Sequence, residues 1–586
     1  MSTHLESSEK GGSDNLKSTE GFHAQAKQSS GKVQPPGRVF LWLFDFILLP
    51  LLIIACAASP FYRDGFLLSW DEGAPLYWGN AILHGQVPLK DYHINFGPLY
   101  GYALAFCMKI FGASLETLRT YVYFGSLASL VLIYFIARMV IKHRLILLIL
   151  CYYVASFSIS PFWMSRWGGI RNFAALVPLL FLLYYSRKDT MGILLLGGLT
   201  AGIGFLMSME MGVLAVCLFL IYLCYTRLGV LRKSGIFFLG FLTVTLPFYG
   251  YLWAAGSSIK GVIINLVTMP LAVGGYYRNP PRIDMPRADF SPSQWISYFQ
   301  SASFDFVAVP VIYAVTAVFL LISASMRRRD RNRVDDLILL LVLFYGVFVF
   351  VIGIRGFTGP VMAGPQFTFS LAASAVVGLA LLDRFLIWLE SKGRQGGKSL
   401  PWVKWISLLL VLSFLLATKI TPGYRQWLQL KMDKTFAYRP RMDTSPKIGN
   451  CILPEQQVAL ITQVSDYIAS RTAAGEYIYA YPHEPHFYFF AGRDCATFFS
   501  VAIDAGIDTG LQQDEIDRVE RNHVQYAICA SNSYMVMDNR IIPNENRIPF
   551  MYDYFRKNFS VEKNFDGILI LARHPVSDGK DMLKTE

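Results

Sequence analysis

Charged side chains and cysteine are both scarce in this sequence, and each shortage argues against a class of protein. Asp, Glu, Lys and Arg make up 16% of the 586 residues, while 54% are hydrophobic. Soluble globular proteins are about 25% charged. The eight cysteines form no C-x-x-C pair and no zinc-type spacing, so neither a disulfide framework nor a zinc module is indicated. The composition predicts a polytopic α-helical membrane protein.

Long apolar runs are what the sequence has in abundance, and they predict about eleven transmembrane helices. A run of about 18 apolar residues is long enough to cross a bilayer as a helix. The predicted spans are 39–60, 119–141, 145–162, 173–186, 191–209, 211–226, 235–253, 305–325, 335–353, 366–389 and 402–420.

The net charge of +12 indicates topology rather than a nucleic-acid partner. Basic clusters lie in the short connections between apolar runs, for example at Arg327-Arg328-Arg329, around Arg138 and around Lys392. Lys and Arg accumulate in the cytoplasmic connections of membrane proteins. These clusters therefore mark the predicted cytoplasmic side.

The predicted topology divides the chain into three parts. Residues 1–38 are polar and lack the apolar core of a signal peptide, which predicts a disordered cytoplasmic tail. Residues 39–420 form the membrane domain. An odd number of spans then places 421–586 outside the cytoplasm. That segment is less apolar, and its periodicity predicts a small α/β domain with helices at 456–471 and 515–522 and strands at 477–481, 526–530 and 567–572.

Four further segments are predicted on the outer side of the membrane. Loop one covers 61–97, loop two covers 163–172, and a long loop covers 254–304. The Pro, Gly and Tyr content of the long loop predicts an irregular, functional connection. The aromatic-rich stretch 98–112 is too short for a comfortable span, so we expect an interfacial helix there.

The charged side chains of these outer segments are candidates for chemistry. A carboxylate can deprotonate a hydroxyl group, and arginine binds phosphate by paired hydrogen bonds. Other interpretations stay open, since an acidic pair also suits a solvated loop or the start of a short helix, and a lone glutamate can snorkel to the interface. The candidates are Asp71, Glu72, Asp91, His93, Arg166, Arg171, Glu210, Arg278 and Arg355.

The order of motifs after the first span resembles the first loop of the GT-C membrane glycosyltransferases. The similarity is strongest to the branch that holds protein O-mannosyltransferases, lipid A aminoarabinose transferases and rhizobial lipopolysaccharide glycosyltransferases, and it covers about residues 40–145. The Asp-Glu pair is the most specific mark of that branch. The motifs are Trp70-Asp71-Glu72-Gly73, Asn80-Ala81-Ile82-Leu83-His84-Gly85-Gln86-Val87-Pro88, Asp91-Tyr92, Gly97-Pro98-Leu99-Tyr100, Phe111-Gly112 and Arg119.

The resemblance implies a GT-C fold and a sugar transfer on the outer face of the membrane. The donor would be a polyprenyl-phosphate sugar, and the acceptor a hydroxyl group of a lipid, glycan or protein that attacks with inversion. Asp71 is carried over as the general base, with Glu72 beside it. The branch's usual Pro-Pro is Gly97-Pro98 here, and the Trp-Trp-Asp motif of oligosaccharyltransferases is absent, which argues against transfer of whole glycans to protein.

Physical reasoning also indicates which residues bind the leaving phosphate and the substrate. The outer arginines Arg166, Arg171, Arg278 and Arg355 are expected to hold the leaving lipid phosphate, with Tyr92 and Glu210 as further substrate contacts. Some relatives use a divalent metal, for which Asp91 and His93 are the candidates here. A bacterial inner membrane is the preferred location over an endoplasmic reticulum, with the N-terminus cytoplasmic and the C-terminal domain periplasmic.

Two other classes compete with this interpretation. A transporter or lipid flippase would place charges near the bilayer midplane, usually in repeated halves, whereas the sequence shows no repeat. A non-catalytic envelope assembly protein would use the C-terminal domain as its binding module. Neither class requires the Asp71 carboxylate for chemistry, so the Asp71→Asn substitution separates both from an enzyme.

Overall fold

The computed structural model describes most of the chain beyond the N-terminal tail. The described residues are 37–58, 60–67, 71–158, 169–227, 229–276, 289, 291–326, 333–355, 365–395, 401–420, 445–530, 535–537 and 540–575. The predicted disordered tail therefore lies almost entirely outside them. The chain forms two compact units, Met1–Leu51 and Leu52–Glu586. The described residues of the first unit, 37–51, are helical. The apolar helix α1 is Val39–Ala57.

The prediction of many membrane helices is confirmed. Within the described residues, eight helices, α1 included, are long and apolar enough to cross a membrane. The helices between loop one and residue 254 are α2 (Gly73–Leu83), α3 (Pro98–Phe111), α4 (Leu115–Val140), α5 (Arg144–Ser158), α6 (Gly169–Lys188), α7 (Met191–Met207), α8 (Met209–Thr226) and α9 (Val230–Ala254).

The later helices complete the membrane domain. They are α10 (Ile259–Ile263), α11 (Met269–Tyr276), α12 (Pro292–Gln300), α13 (Ala302–Met326), α14 (Arg333–Arg355), α15 (Pro365–Gln395) and α16 (Pro401–Leu415). Each of the eleven predicted spans is mainly helical where it is described, but α5, α7 and the helix over Trp405–Lys419 are shorter than the other eight. A short apolar helix needs protein neighbours to bury its ends, and α7 has them on both sides.

Small residues allow α7 and α9 to pack closely. A Cβ on Gly198 of α7 would lie 2.0 Å from the Phe237 carbonyl oxygen of α9, and one on Gly240 of α9 would lie 2.4 Å from the Leu195 oxygen. Glycine at both positions lets the two backbones touch, which is how helices pack without a hydrophobic driving force in lipid.

Ion pairs tie the helix ends on the predicted cytoplasmic side. The buried Asp383 carboxylate accepts hydrogen bonds from the backbone N–H groups of Lys142 and His143, both at 3.0 Å. Arg384 pairs with Asp336 at 2.6 Å. These bonds join α15 to the start of α5 and to α14, so part of the positive charge of this face is neutralised within the bundle.

All three predicted loops are more regular than expected, and loop one already contains α2. The long loop contains α10 and α11, joined by a π-helical turn over Ile264–Thr268, and then α12. Ser258 caps the first of these helices by accepting from the Gly261 N–H at 2.9 Å. In loop two, residues 169–172 are already the first turn of α6, and residues 163–168 lie outside the described part. Helix caps and an apolar face outweigh the loop-like composition here.

The C-terminal segment, described from residue 445 onward, is an α/β unit, as predicted. It belongs to the second compact unit and is named the C-terminal unit below. Its five-stranded sheet has the order β2-β1-β3-β7-β6, with β1 parallel to β2 and β3, and β7 antiparallel to β3 and β6. The elements are α17 (Glu455–Arg471), β1 (Tyr477–Tyr481), α18 (His486–Ala491), β2 (Asp494–Cys495), α19 (Thr509–Arg521), β3 (Tyr526–Ala530), β4 (Met535–Met537), β5 (Arg540–Ile542), α20 (Asn544–Arg547), α21 (Pro549–Asn558), β6 (Phe559–Phe565) and β7 (Ile568–Arg573).

This C-terminal unit packs directly on loop one and α2. Tyr77 and Trp78 share one hydrophobic cluster with Tyr488, and the Trp78 Nε1 donates to the Ser500 hydroxyl at 3.2 Å. Leu67 and Gln457 exchange two hydrogen bonds, at 2.8 and 2.9 Å. The unit therefore fixes the conformation of loop one, which carries the acidic pair.

Candidate functional site

The acidic pair forms a turn that ends where α2 begins. Asp71 is half-buried and Glu72 is fully buried. Glu72 is the residue before the first helical position, yet its side chain caps no N–H group of α2. The carboxylates of two adjacent residues therefore have different surroundings, and Trp70 of the same motif lies outside the described residues.

Glu72 forms a buried ion pair with Arg119 of α4. The Arg119 Nε donates to one Glu72 carboxylate oxygen at 2.7 Å and Nη2 donates to the other at 3.0 Å, and both side chains are 0% exposed. Arg119 also donates to the carbonyl oxygen of Phe66 at 3.0 Å and to those of Gly65 and Arg63. A buried charge requires such pairing. The arginine thus fastens the loop-one backbone and the acidic turn to the start of α4.

A second ion pair joins the starts of α6 and α8. Arg171, the third residue of α6, pairs with Glu210 in the first turn of α8. Its Nε also donates to the Ser208 hydroxyl at 3.2 Å, and its guanidinium lies over the Phe96 ring at 4.5 Å. Phe96 belongs to loop one, so this arginine links the two loops and the α8 start.

Tyr100 of α3 contacts the same Phe96 ring that lies under Arg171. Its ring contacts Phe96 and Tyr121, with centroids 4.9 and 5.6 Å apart. Burial raises the pKa of Tyr100, while the charge of Arg171 lowers it and that of Glu72 raises it further. Both ion pairs therefore reach the same phenol. The buried Tyr121 hydroxyl has no hydrogen-bond partner among the described residues, which is an unusual state for a polar group unless a ligand supplies the partner.

The electrostatics of this end of the bundle favour an anion. α6 and α8 begin at the Arg171–Glu210 pair, and the start of a helix carries partial positive charge. Arg119 and Arg171 add two full charges, which Glu72 and Glu210 balance. The helix starts therefore supply the net positive potential of the site.

Three loop-one candidates have structural surroundings. Tyr92 is fully buried and donates its hydroxyl to the Trp78 carbonyl at 3.3 Å. The Asp91 carboxylate accepts the Val87 N–H at 2.7 Å. His93 is buried against Phe499, with ring centroids 5.1 Å apart, and burial lowers its pKa to about 3. Within the described part of the chain no group of three or more His, Cys, Asp or Glu side chains could hold a metal ion.

The remaining predicted arginines cannot be placed. Arg166 and Arg278 lie outside the described residues, and Arg355 is the last residue of α14, with a side chain that is not described. Arg119, Tyr100 and Tyr121 enter the site although the sequence interpretation gave them no role. An arginine near the start of an otherwise apolar span was the signal, because a charge there demands a partner.

The described elements define a polytopic helical membrane protein whose C-terminal α/β unit covers one end of the helix bundle. No family model matches the chain, and no curated protein matches it by sequence.

Comparison with solved structures gives matches to two proteins, ArnT and the arabinofuranosyltransferase AftD. The chain is similar to the crystal structure of ArnT from Cupriavidus metallidurans bound to undecaprenyl phosphate, with 12% identity and a TM-score of 0.48 over 92% of this chain and 98% of that one. The crystal structure of the same protein in the apo state is 12% identical, with a TM-score of 0.49 over 92% of this chain and 98% of that one. The cryo-EM structure of the arabinofuranosyltransferase AftD from mycobacteria gives 14% identity and a TM-score of 0.41, over 92% of this chain and 40% of that one.

Proposed function

We propose that the protein is a membrane glycosyltransferase of the GT-C kind that moves a sugar from a polyprenyl-phosphate donor to an acceptor hydroxyl. The observation that carries this proposal is the different state of the two adjacent carboxylates. Both oxygens of Glu72 bind Arg119, whereas Asp71 is half-buried at the same turn. One carboxylate thus positions the turn, and we assign proton transfer to the other, which is partly exposed to solvent.

The chemistry is a single displacement at the anomeric carbon. The acceptor oxygen forms the new bond to that carbon while its proton passes to the Asp71 carboxylate. The bond between the anomeric carbon and the phosphate oxygen breaks, and its electron pair stays on the phosphate. No acid is needed, because the lipid phosphate is a stable anion once positive charge surrounds it.

We assign the phosphate to the site around Tyr100. Arg171 and the starts of α6 and α8 supply the positive potential, and Glu210 and Ser208 hold the guanidinium in position. The unpartnered Tyr121 hydroxyl is a donor that a phosphate or sugar oxygen would satisfy. Arg166, Arg278 and Arg355 remain predicted phosphate contacts, and Tyr92 a predicted substrate contact.

The proposed setting is a bacterial inner membrane with the C-terminal unit on the periplasmic side. The basic connections at the opposite end support this orientation. Loop one and the C-terminal unit share that outer end because they pack on each other.

The test is the Asp71→Asn variant in proteoliposomes supplied with polyprenyl-phosphate sugars and with membrane extract as acceptor. Loss of a general base is expected to lower transfer by about 10²–10⁴-fold with normal protein yield, and exposed Asp466→Asn on α17 is the matched control. Unchanged transfer in Asp71→Asn would reject the base. Movement of donor across the bilayer without its consumption would instead identify a flippase.

A further inference from the structure

A groove runs between the helical stretch 259–276 and α19 of the C-terminal unit. It has two adjoining cavities that share Lys260, Ile264 and Leu511 as lining residues. The inner cavity of about 170 Å³ is lined mainly by polar groups, and the outer one of about 560 Å³ is lined mainly by apolar side chains. Ligand pockets usually measure about 300–1,000 Å³, so the inner cavity suits a small polar fragment and the outer one a larger apolar body.

The outer cavity adjoins a face that suits lipid. Ile259, Ile263, Val267 and Leu271 recur every four residues and are all exposed, so they form one apolar stripe along the stretch. Asn265, on the opposite face, is buried. A helix with this division lies with one face in the membrane boundary and the other on protein. Because Ile263 lines the outer cavity as well, a hydrocarbon chain can pass from the membrane boundary into the groove.

The inner cavity combines basic, acidic and aromatic groups. The Arg518 guanidinium lies over the Phe498 ring at 5.3 Å. The buried Glu515 carboxylate accepts hydrogen bonds from the N–H groups of Phe498 and Phe499 at 3.0 and 3.2 Å. Arg521 lines the same cavity. The Glu515 carboxyl group suits sugar hydroxyls, whereas the two arginines suit an acidic substituent on the same head group.

The groove shares a wall with the proposed reaction site. The Asn265 side chain donates to the Ile94 carbonyl oxygen at 2.6 Å, and Ser258 N–H donates to the Leu89 oxygen at 3.4 Å. The segment 89–96 that they contact ends at Phe96, on which Arg171 lies. The end of loop one therefore contacts both the helical stretch that walls the groove and Arg171 of the ion-pair site.

We propose that this groove binds the acceptor, and that the acceptor is a membrane glycolipid with an acidic sugar head group. The sugar occupies the inner cavity between Arg518, Arg521 and Glu515, and the lipid chain occupies the outer cavity behind Ile263. The inference rests on the proposed glycosyltransferase function, which it makes specific by naming the acceptor class.

The experiment is photolabelling of the full-length protein in nanodiscs with three probes that differ only in head group. Each probe carries a dodecyl chain with a diazirine, and the heads are glucuronic acid, glucose and phosphate. The glucuronide is expected to label peptides from 259–276 and 507–521 most strongly. Charge reversal by Arg518→Glu with Arg521→Glu is expected to lower labelling by about tenfold or more, the loss of one charge-assisted contact. Arg556→Glu, exposed on α21, is the matched control.

Each outcome decides a separate question. Labelling that survives the double charge reversal, or that is strongest with the phosphate probe, overturns the glycolipid groove. Labelling needs no transfer, so it is expected to persist in Asp71→Asn. A groove that labels as expected in a protein that consumes no polyprenyl-phosphate sugar would reject the proposed function and leave the binding site standing.

Discussion

Replacing Glu72 by glutamine removes one charge of a buried ion pair while keeping the size of the side chain. Both partners are 0% exposed, and breaking such a pair from one side is destabilising by about 3–5 kcal/mol because the remaining charge stays buried. The glutamine oxygen can still accept one hydrogen bond from Arg119. We therefore expect Glu72→Gln to lower the free energy of unfolding by about 3 kcal/mol, the lower end of that range.

Removing the arginine instead should be more damaging. Arg119 also donates to the carbonyl oxygens of Phe66, Gly65 and Arg63, and each buried carbonyl left without a donor adds about 1–3 kcal/mol. The loss of unfolding free energy in Arg119→Gln is therefore expected to exceed the loss in Glu72→Gln by at least the cost of one such carbonyl, about 1–3 kcal/mol. The double variant should be less destabilised than the sum of the two single variants, because it leaves no unpaired charge.

The measurement is the free energy of unfolding from SDS titration in mixed micelles, as a double-mutant cycle with Asp71→Asn as comparator. Asp71 is half-buried, and its amide variant is expected to lose about 1 kcal/mol or less while losing transfer. Single variants that each lose less than about 1 kcal/mol, as exposed ion pairs do, would refute the positioning role. A stable Glu72→Gln variant without transfer would move Glu72 into the chemistry.

Three other changes test separate parts of the structure. Gly73→Ala would place a Cβ 2.6 Å from the His486 backbone nitrogen, so faster limited proteolysis of the C-terminal unit is expected, whereas Gly192→Ala, with no atom within 4 Å, should match the wild type. Burial raises the pKa of Glu515 from 4.5 to about 7. Between these two pH values the folded chain keeps a proton that the unfolded chain releases. The free energy of unfolding should therefore fall by about 3 kcal/mol as pH rises from about 4.5 to 7. An equally steep dependence of the unfolding free energy on pH in Glu515→Gln would contradict this. Arg171→Lys should raise the KM for the donor by about 10–100-fold, through loss of paired phosphate contacts, and an unchanged KM would remove Arg171 from the donor site.

The sequence predicted the helices well because membrane spans are encoded locally. The predicted span 335–353 carries no charged residue after its first two positions and has no other stable conformation in a bilayer, and α14 covers it. The strands at 477–481 and 526–530 were predictable for the same local reason. The strand β6 was not, because Glu562 and Lys563 interrupt its alternation and most of its side chains are exposed.

The site could be predicted only as a set of residue types. The sequence indicated that Glu72 and Arg171 lie on one face, but not that their partners are Arg119, 47 residues away, and Glu210. Pairing of charges is decided by how helices pack, and no periodicity records it. The contact of the C-terminal unit with loop one could not be predicted for the same reason. An apolar residue such as Trp78 indicates that its side chain is buried, but not which surface buries it.

The two hydrogen bonds between Leu67 and Gln457 join residues 390 positions apart, and this separation has a consequence for how the protein is made. At about 5–20 residues per second, ribosomes need roughly 20–80 s to synthesise the intervening chain. During that time the C-terminal unit that buries Tyr77 and Trp78 has not yet been made, so both side chains and the acidic turn are exposed. Nascent chains therefore pass through a long interval in which they are exposed to proteases and chaperones, and loop one is covered only after the C-terminal unit has been synthesised.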